Sequence, residues 1–415
     1  MKVLALALLF FCLSGLAVAQ NKQVPLEFDG QIRMRSEADG RDFDSDSDPN
    51  NYTFLRTRFG VNAMPAEDVS IYVQAQDSRA LGIETSTLSD ESNIDLHQAF
   101  FEVRNLWGKP IAFRGGRQEL SYGHERVIGA VGWSNVGRAF DGVKITIGRK
   151  STLDILAMTI TERNTPAGGA ATPVATAGIG NPDLEFAGLY YQNRRKANYL
   201  MDLYVLAEVD SRQTSPGEKD LERATIGAYN KGKLGALDFE TELALQAGKI
   251  TTAGIRRDVL AFMLTGSLSH TFDTSRKPTV GAGIDYLSGM EPGDDKYMVF
   301  NTLYATNHQF YGLMDYFLDI SAQTNGLGLQ DIMLKGGISL TGNLRGDLHI
   351  HNFRTAKGSE KNLGNEVDLV LNYRYSSVFS VLFGFSIFSP GDLMEARFGS
   401  DGIGYWSFTS LQAEF

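Results

Sequence analysis

Three features of the sequence predict an all-β, transmembrane antiparallel β-barrel of about 18 strands. Apolar and polar residues alternate with period two almost from end to end. The connectors between alternating runs are long and short by turns. The last run, Tyr405 to Phe415, closes on an aromatic residue.

The alternation comes first. From Leu237 to Ala247, Leu237, Phe239, Thr241, Leu243, Leu245 and Ala247 share one face, and Asp238, Glu240, Glu242, Ala244 and Gln246 share the other. Val367, Leu369, Leu371, Tyr373 and Tyr375 stand opposite Glu366, Asp368, Val370, Asn372 and Arg374. Leu344, Gly346, Leu348 and Ile350 oppose Arg345, Asp347 and His349; Leu55, Thr57, Phe59, Val61 and Ala63 oppose Arg56, Arg58, Gly60 and Asn62. Strand side chains point alternately to opposite faces, so each run has one greasy and one polar side. A soluble sandwich alternates too, and the connectors decide between the two.

Short connectors fall near 65–68, 105–109, 148–150, 194–196, 231–234, 271–277, 341–344 and 375–377. Long ones fall near 37–53, 80–94, 119–138, 162–183, 211–220, 248–257, 288–330, 355–364 and 389–404. Long and short alternate strictly and yield an even strand number. Short periplasmic turns at one end and long extracellular loops at the other are the barrel pattern. The stretch Tyr316 to Gln323 has strand-like composition, but a strand there would break the even count. It reads as part of a long, partly folded loop.

The N-terminus reads as a targeting segment. Lys2, the apolar stretch Val3 to Leu13 and the small-residue site Ala17-Val18-Ala19 predict a secretory signal peptide over residues 1–19, with the barrel over 20–415. Cys12, the single cysteine, lies inside it, so a disulfide framework and a cysteine-rich zinc site are excluded. No later stretch is long and apolar enough for a spanning helix. A net charge of −10 excludes a nucleic-acid partner. An aromatic at the end of the last strand suits the outer-membrane assembly machinery, which makes Phe415 the expected assembly signal. The expected location is the bacterial outer membrane, with lipid around the barrel.

Several segments then become specific. They are DLHIHNF (347–353), LGNEVDLVLNYRY (363–375), FGFSIFSPGDL (383–393), RGGRQELSYG (114–123) with RVIGAVGWSNVGRAFDGVKI (126–145), and HQFYGLMD (308–315) with GLGLQD (326–331). In these segments the sequence resembles the alginate export porin family, whose members are eighteen-stranded outer-membrane barrels. Between 150 and 280 the likeness is one of strand rhythm. The resemblance implies an electropositive constriction for a polyanionic sugar acid. It also implies that Arg117 reaches the pore, which by phase requires a bulge at Gly115-Gly116. Gln118, Arg126, Trp133, Arg138 and Asp141 follow in the same block, and 119–137 is expected to fold inward. One departure is the stretch Leu96-His97-Gln98-Ala99-Phe100, which lacks the family's Arg-Glu pair and implies a less basic constriction.

The polar strand faces carry Arg33, Arg35, Arg56, Arg58, Arg104, Arg114, Arg345 and Arg374, with Glu102, Asp238, Glu240, Glu242, Asp347, Glu366 and Asp368. Guanidinium forks pair with carboxylates in two parallel bonds, which suits an anionic oligosaccharide or polysaccharide. Interspersed carboxylates keep such binding weak enough for conduction. Equally, these charges pair with one another in any porin. The expected pore-lining set is Arg33, Arg56, Arg58, Arg114, Arg117, Arg126, Arg138, Asp141, Arg345, Asp347, Glu366, Asp368 and Arg374.

The remaining signals are weak. The acidic run Asp39 to Asp48 lacks the Glu that closes a calcium loop and reads as solvated. His349 and His351 share a strand face without a third ligand, so no metal or other cofactor is expected. Residues 165–180 are a low-complexity loop. No nucleophile elbow, phosphate loop or H-E-x-x-H motif occurs. A passive channel for an anionic polysaccharide or oligosaccharide therefore leads, with a general or small-solute porin as the alternative. A barrel enzyme and a plugged receptor are disfavoured.

Overall fold

In the computed structural model, eighteen strands close into one antiparallel barrel. The structure describes residues 24–82, 93–161, 184–210, 219–252 and 254–415. The expected signal peptide and the low-complexity run 165–180 lie outside them.

The strands are Leu26–Gly40 (β1), Asn50–Ala66 (β2), Val69–Ala80 (β3), Ile94–Val103 (β4), Ile111–Gln118 (β5) and Phe140–Gly148 (β6). Ser151–Thr161 (β7), Leu184–Lys196 (β8), Tyr199–Asp210 (β9), Lys219–Leu234 (β10), Leu237–Thr252 (β11) and Ile255–Thr271 (β12) follow. The last six are Thr279–Leu287 (β13), Leu329–Ser339 (β14), Leu344–Arg354 (β15), Asn362–Arg374 (β16), Phe379–Pro390 (β17) and Gly404–Glu414 (β18). Each pairs with its sequence neighbours, and β18 closes on β1 from Gln31↔Glu414 to Gly40↔Tyr405. Closure leaves no sheet edge unpaired, as a backbone in lipid requires.

The register explains the alternation. Ile145, Ile155, Leu189, Val205, Ile226 and Leu245 stand directly beside one another across β6 to β11. Most of this row is close to half exposed, because it faces lipid. Higher on the same face a charged row begins: Arg117, Asp141, Thr159 and Glu185, continuing through Val209 to Glu222, Lys249 and Asp258. It marks the extracellular rim of the apolar band.

One expected loop is strand. β11 runs to Thr252 and β12 starts at Ile255, with the two residues paired across a tight turn, so 248–257 is no long connector. Lys249, Thr251, Arg256 and Asp258 occupy outward positions of this hairpin above the rim, where no lipid demands apolar residues. The loss of greasy alternation therefore reads as loop although the backbone pairing continues. The turns after β8 and β10 also fall two to three residues later than expected. Residues 316–323 hold no strand; Ile320–Gln323 form one helical turn.

The seam depends on a close approach. The backbone of Phe415 exchanges hydrogen bonds of 3.1 and 3.0 Å with Gly30, and its ring lies over that glycine. A Cβ at Gly30 would sit 2.5 Å from the ring. Gly30→Val is therefore expected to displace the ring and cost about 1–3 kcal/mol. The check is a lowered midpoint for heat-modified gel migration of the folded barrel in detergent; an unchanged midpoint contradicts the packing.

Candidate functional site

Two extracellular connectors turn into the barrel and meet there. Residues 119–139 join β5 to β6, and 288–328 join β13 to β14. They share a short parallel bridge at Ile128↔Tyr304. Around it Tyr304 N donates to Val127 O at 2.9 Å, Gly129 N to Tyr304 O at 2.8 Å and Thr306 N to Glu125 O at 2.9 Å. Leu120, Val127, Ile128, Phe300, Phe310, Tyr311 and Phe317 are buried between the loops and the wall. The lumen thus holds an apolar core of its own.

The tip of the first loop rests on β1, β2 and β3. Arg33 donates to the carbonyls of Gly132 (2.8 Å), Trp133 (3.0 Å) and Ser134 (2.9 Å). Arg56 takes Gly132 O at 2.9 Å and Ser134 O at 2.8 Å, and Arg35 takes Trp133 O at 2.6 Å. Ser78 Oγ donates to Asn135 O at 2.7 Å and Arg58 to Val136 O at 3.2 Å. Every carbonyl from Gly132 to Val136 is therefore held by a side chain of the wall. Four of the five carbonyls have a charged donor, and charge-assisted bonds are the stronger kind.

The Trp133 ring is fixed as well. The Arg35 guanidinium lies 3.9 Å from its centroid, and the His308 ring of the second loop stacks on it at 4.4 Å and 8°. His308 Nδ1 is 2.6 Å from Asp315.

At the loop's base, Glu119 lies 2.6 Å from His97 Nε2 and 3.2 Å from Arg58, while its backbone N–H donates to Gln98 Oε1 at 3.0 Å. His97 and Gln98, the departure noted in the sequence, thus fasten the inward loop. Burial raises the Glu119 carboxyl, but the His97 hydrogen bond and the Arg58 charge outweigh it and hold the group below the usual carboxylate range.

The expected pore-lining residues separate into groups. Arg33, Arg56 and Arg58 form the clamp just described. Arg138, at the other end of the same loop, donates to the carbonyls of Gly129 (3.2 Å), Ala305 (3.1 Å) and Tyr304, and burial pushes its guanidinium pKa down. Arg126 is buried against Asp285 at 2.7 Å and Phe310 at 4.0 Å. Burial opposes its charge, yet Asp285 holds its pKa above the ordinary value. It anchors the plug to β13 and does not line open space.

Arg114 pairs with Glu102 at 2.6 Å, and Arg345 with Asp347 at 2.8 Å, both on the inner wall. Glu366 accepts from Met314 N at 2.8 Å, so it too holds the second loop. Asp368 accepts from Ser386 Oγ at 2.5 Å and lies 3.7 Å from His351. Arg374 is exposed at the periplasmic end of β16, away from the constriction.

Arg117 and Asp141 are corrections. β5 pairs with β4 and β6 without any register shift, so there is no bulge at Gly115-Gly116. Gly116 instead permits close backbone approach: a Cβ there would lie 2.2 Å from Ala99 O. Phase then turns Arg117 outward, where it pairs with Asp141 at 2.6 Å in the charged row at the rim.

The wall across from the clamp is acidic, and its carboxylates are engaged. Tyr122 donates to Asp154 at 2.6 Å, Tyr204 to Glu242 at 2.8 Å and Tyr304 to Glu208 at 3.0 Å; His351 lies 2.8 Å from Asp331. Sequence reasoning missed Glu119, Asn135 and the whole lumenal role of 288–328. The signal for the last was present: Tyr297, Phe300, Tyr304, Phe310, Tyr311, Tyr316 and Phe317 are too many aromatics for a solvated loop.

A cavity of about 590 Å³ remains between the clamp and the loops, lined among others by Arg35, Tyr52, Phe54, Trp133, Arg138 and Asn307. Among the described residues no cluster of three or more His, Cys, Asp or Glu could hold a metal. In the 39–48 loop, Asp42 and Asp44 instead accept from the backbone N–H groups of Asp44 (3.2 Å) and Asp46 (3.0 Å).

Because Glu119 is held low, its grip on the loop is complete above the ordinary carboxylate pKa and is lost as pH falls through the folded value. Single-channel current is expected to stay quiet from neutral pH down to the ordinary carboxylate range and to show larger, noisier openings only once pH falls below that range. Glu119→Gln is expected to show those openings at neutral pH. Quiet current from Glu119→Gln would remove this residue from the account.

The alginate export family model matches residues 24–406. No curated protein matches the chain. Solved structures share the fold at low identity. A BenF-like porin from Pseudomonas fluorescens has a TM-score of 0.60 at 11% identity, covering 94% of this chain and 98% of its own. OccK8 (OprE) of Pseudomonas aeruginosa gives 0.59 at 13%, with the same coverage of 94% and 98%. OpdK of that species, solved with vanillate, gives 0.59 at 10%, again over 94% and 98%. A closed barrel with a lipid-facing apolar band and a polar interior is an outer-membrane channel, and the match across 24–406 shows that this chain belongs to the alginate export family.

Proposed function

We propose that the channel selects anionic sugar acids, as oligosaccharides or a polysaccharide chain, and passes them by passive diffusion along the β1–β2 wall. One observation carries this reading. Arg33 is bound to main-chain carbonyls and Arg56 to main-chain carbonyls and Gln31, neither to a carboxylate, and the hydrogen bonds of Arg138 all go to carbonyls. Carbonyls orient a guanidinium without cancelling its charge, so the lumen beside β1 and β2 keeps a positive field. Arg35 and Arg58, paired with Glu37 and Glu119, temper it so that binding stays weak.

The two inward loops favour this over a general porin, since they replace open lumen with packed side chains. No chemical step is required of any residue. The placement of Phe415 on the lipid-facing phase at the seam supports its reading as an assembly signal.

In planar bilayers under a KCl gradient, the reversal potential is expected to report anion selectivity, and oligouronate is expected to block the current. Arg56→Gln should weaken that block about tenfold, as the loss of one charged contact does. Cation selectivity without block would return the channel to the general-porin reading.

A further inference from the structure

We infer that the Gly132–Val136 segment is a built-in surrogate for the substrate: its carbonyls occupy a latent carboxylate site on Arg33 and Arg56, and an anionic solute enters by exchanging with them. The inference rests on the anion-channel reading above and adds the regulation of that site.

The donor geometry supports it. Arg33 and Arg56 both reach Gly132 O and both reach Ser134 O, so two guanidiniums converge on each of two oxygens. Arg33 spans the two oxygens with Nη1 and Nη2, as a guanidinium fork spans a carboxylate, and Arg56 Nη1 reaches both from β2. Here neutral carbonyls stand in for the carboxylate oxygens. An ionised acceptor would add Coulomb attraction that a carbonyl lacks, and in a water-poor site that difference is large. The site is also incompletely filled. Arg33 is 5% exposed, yet its Nε has no hydrogen-bond partner.

The segment has somewhere to go. Trp133, Asn135 and Arg138 border the 590 Å³ cavity, so the tip can shift toward the second loop without leaving the barrel. What opposes the shift is the Arg33 and Arg56 bonds, which an anion would replace, together with the seating of Trp133 on Arg35 and His308 and of Asn135 on Ser78, which move with the tip. Neutral solutes offer the arginines nothing better than a carbonyl and leave the tip seated. A ligand moves such an equilibrium only through its differential affinity for the two states, and charge supplies that difference here.

The test is a reversible tether. Ser78 Oγ donates to Asn135 O at 2.7 Å and Asn135 Nδ2 to Arg79 O at 3.2 Å, which sets position 135 beside β3; Ser78→Cys with Asn135→Cys is to fasten the tip there, with disulfide formation verified by thiol titration, and residues 20–415 hold no other cysteine. In liposomes, glucuronate flux is expected to fall by about tenfold or more in the oxidised form and to recover on reduction. Equal flux in both forms, with anion selectivity intact, would overturn the inference and leave the channel reading standing. Loss of anion selectivity in the reduced form would remove the reading itself. The unaltered protein offers a second check: backbone amide exchange across 130–136 should quicken with glucuronate and not with glucose. Exchange that ignores both solutes would also overturn the inference.

Discussion

The rest of this structure depends on guanidinium groups bonded to main-chain carbonyls. Arg33, Arg35, Arg56 and Arg58 rise from two adjacent strands, and between them they hold four of the five carbonyls from Gly132 to Val136. Buried hydrogen bonds to charged groups are each worth about 1.5–3 kcal/mol. These bonds seat the tip of a loop whose base is held by the apolar packing of Leu120, Val127 and Ile128. They also decide the electrostatics, because carbonyls hold cations in place without neutralising them. An ion-paired ladder would bind the loop less directly.

The barrel makes the clamp possible. Odd residues of β1 and even residues of β2 face the lumen, and the β1–β2 register sets Arg33 directly beside Arg56. Like charges so close need compensating acceptors, and the loop carbonyls supply them. The opposite wall meets the same constraint from the other sign. There Asp154, Glu208, Glu242, Asp285 and Asp331 are bound by tyrosines, an arginine and a histidine, and several of those partners belong to the loops. Both walls therefore place charged groups against the inward loops, which is why the loops pack as a core and not as a lid.

Much of the barrel was legible in the sequence because lipid imposes a strict period. Leu237–Ala247 shows its phase to any reader, and the strand ends near short turns follow to within a few residues. The hairpin of β11 and β12 was not legible above the rim, since pairing there continues without lipid to select apolar residues. The site was legible in part. Arg33, Arg56 and Arg58 could be placed on the lumen by phase alone. Their partners could not, because a main-chain carbonyl has no sequence identity. Arg117 was misplaced for a related reason: a Gly-Gly pair marks close backbone approach as readily as a bulge, and only register distinguishes them.

The most direct test of the clamp is the position of the loop tip with and without it. Spin labels at Ser134 and at the lipid-facing Thr57, read by double electron–electron resonance, should give one narrow, short distance distribution in the otherwise unaltered protein. In the Arg33→Ala, Arg56→Ala background the distribution should broaden and lengthen while the barrel stays folded. A narrow distribution that survives loss of both arginines would contradict the account, because the loop would then be held by its apolar packing alone.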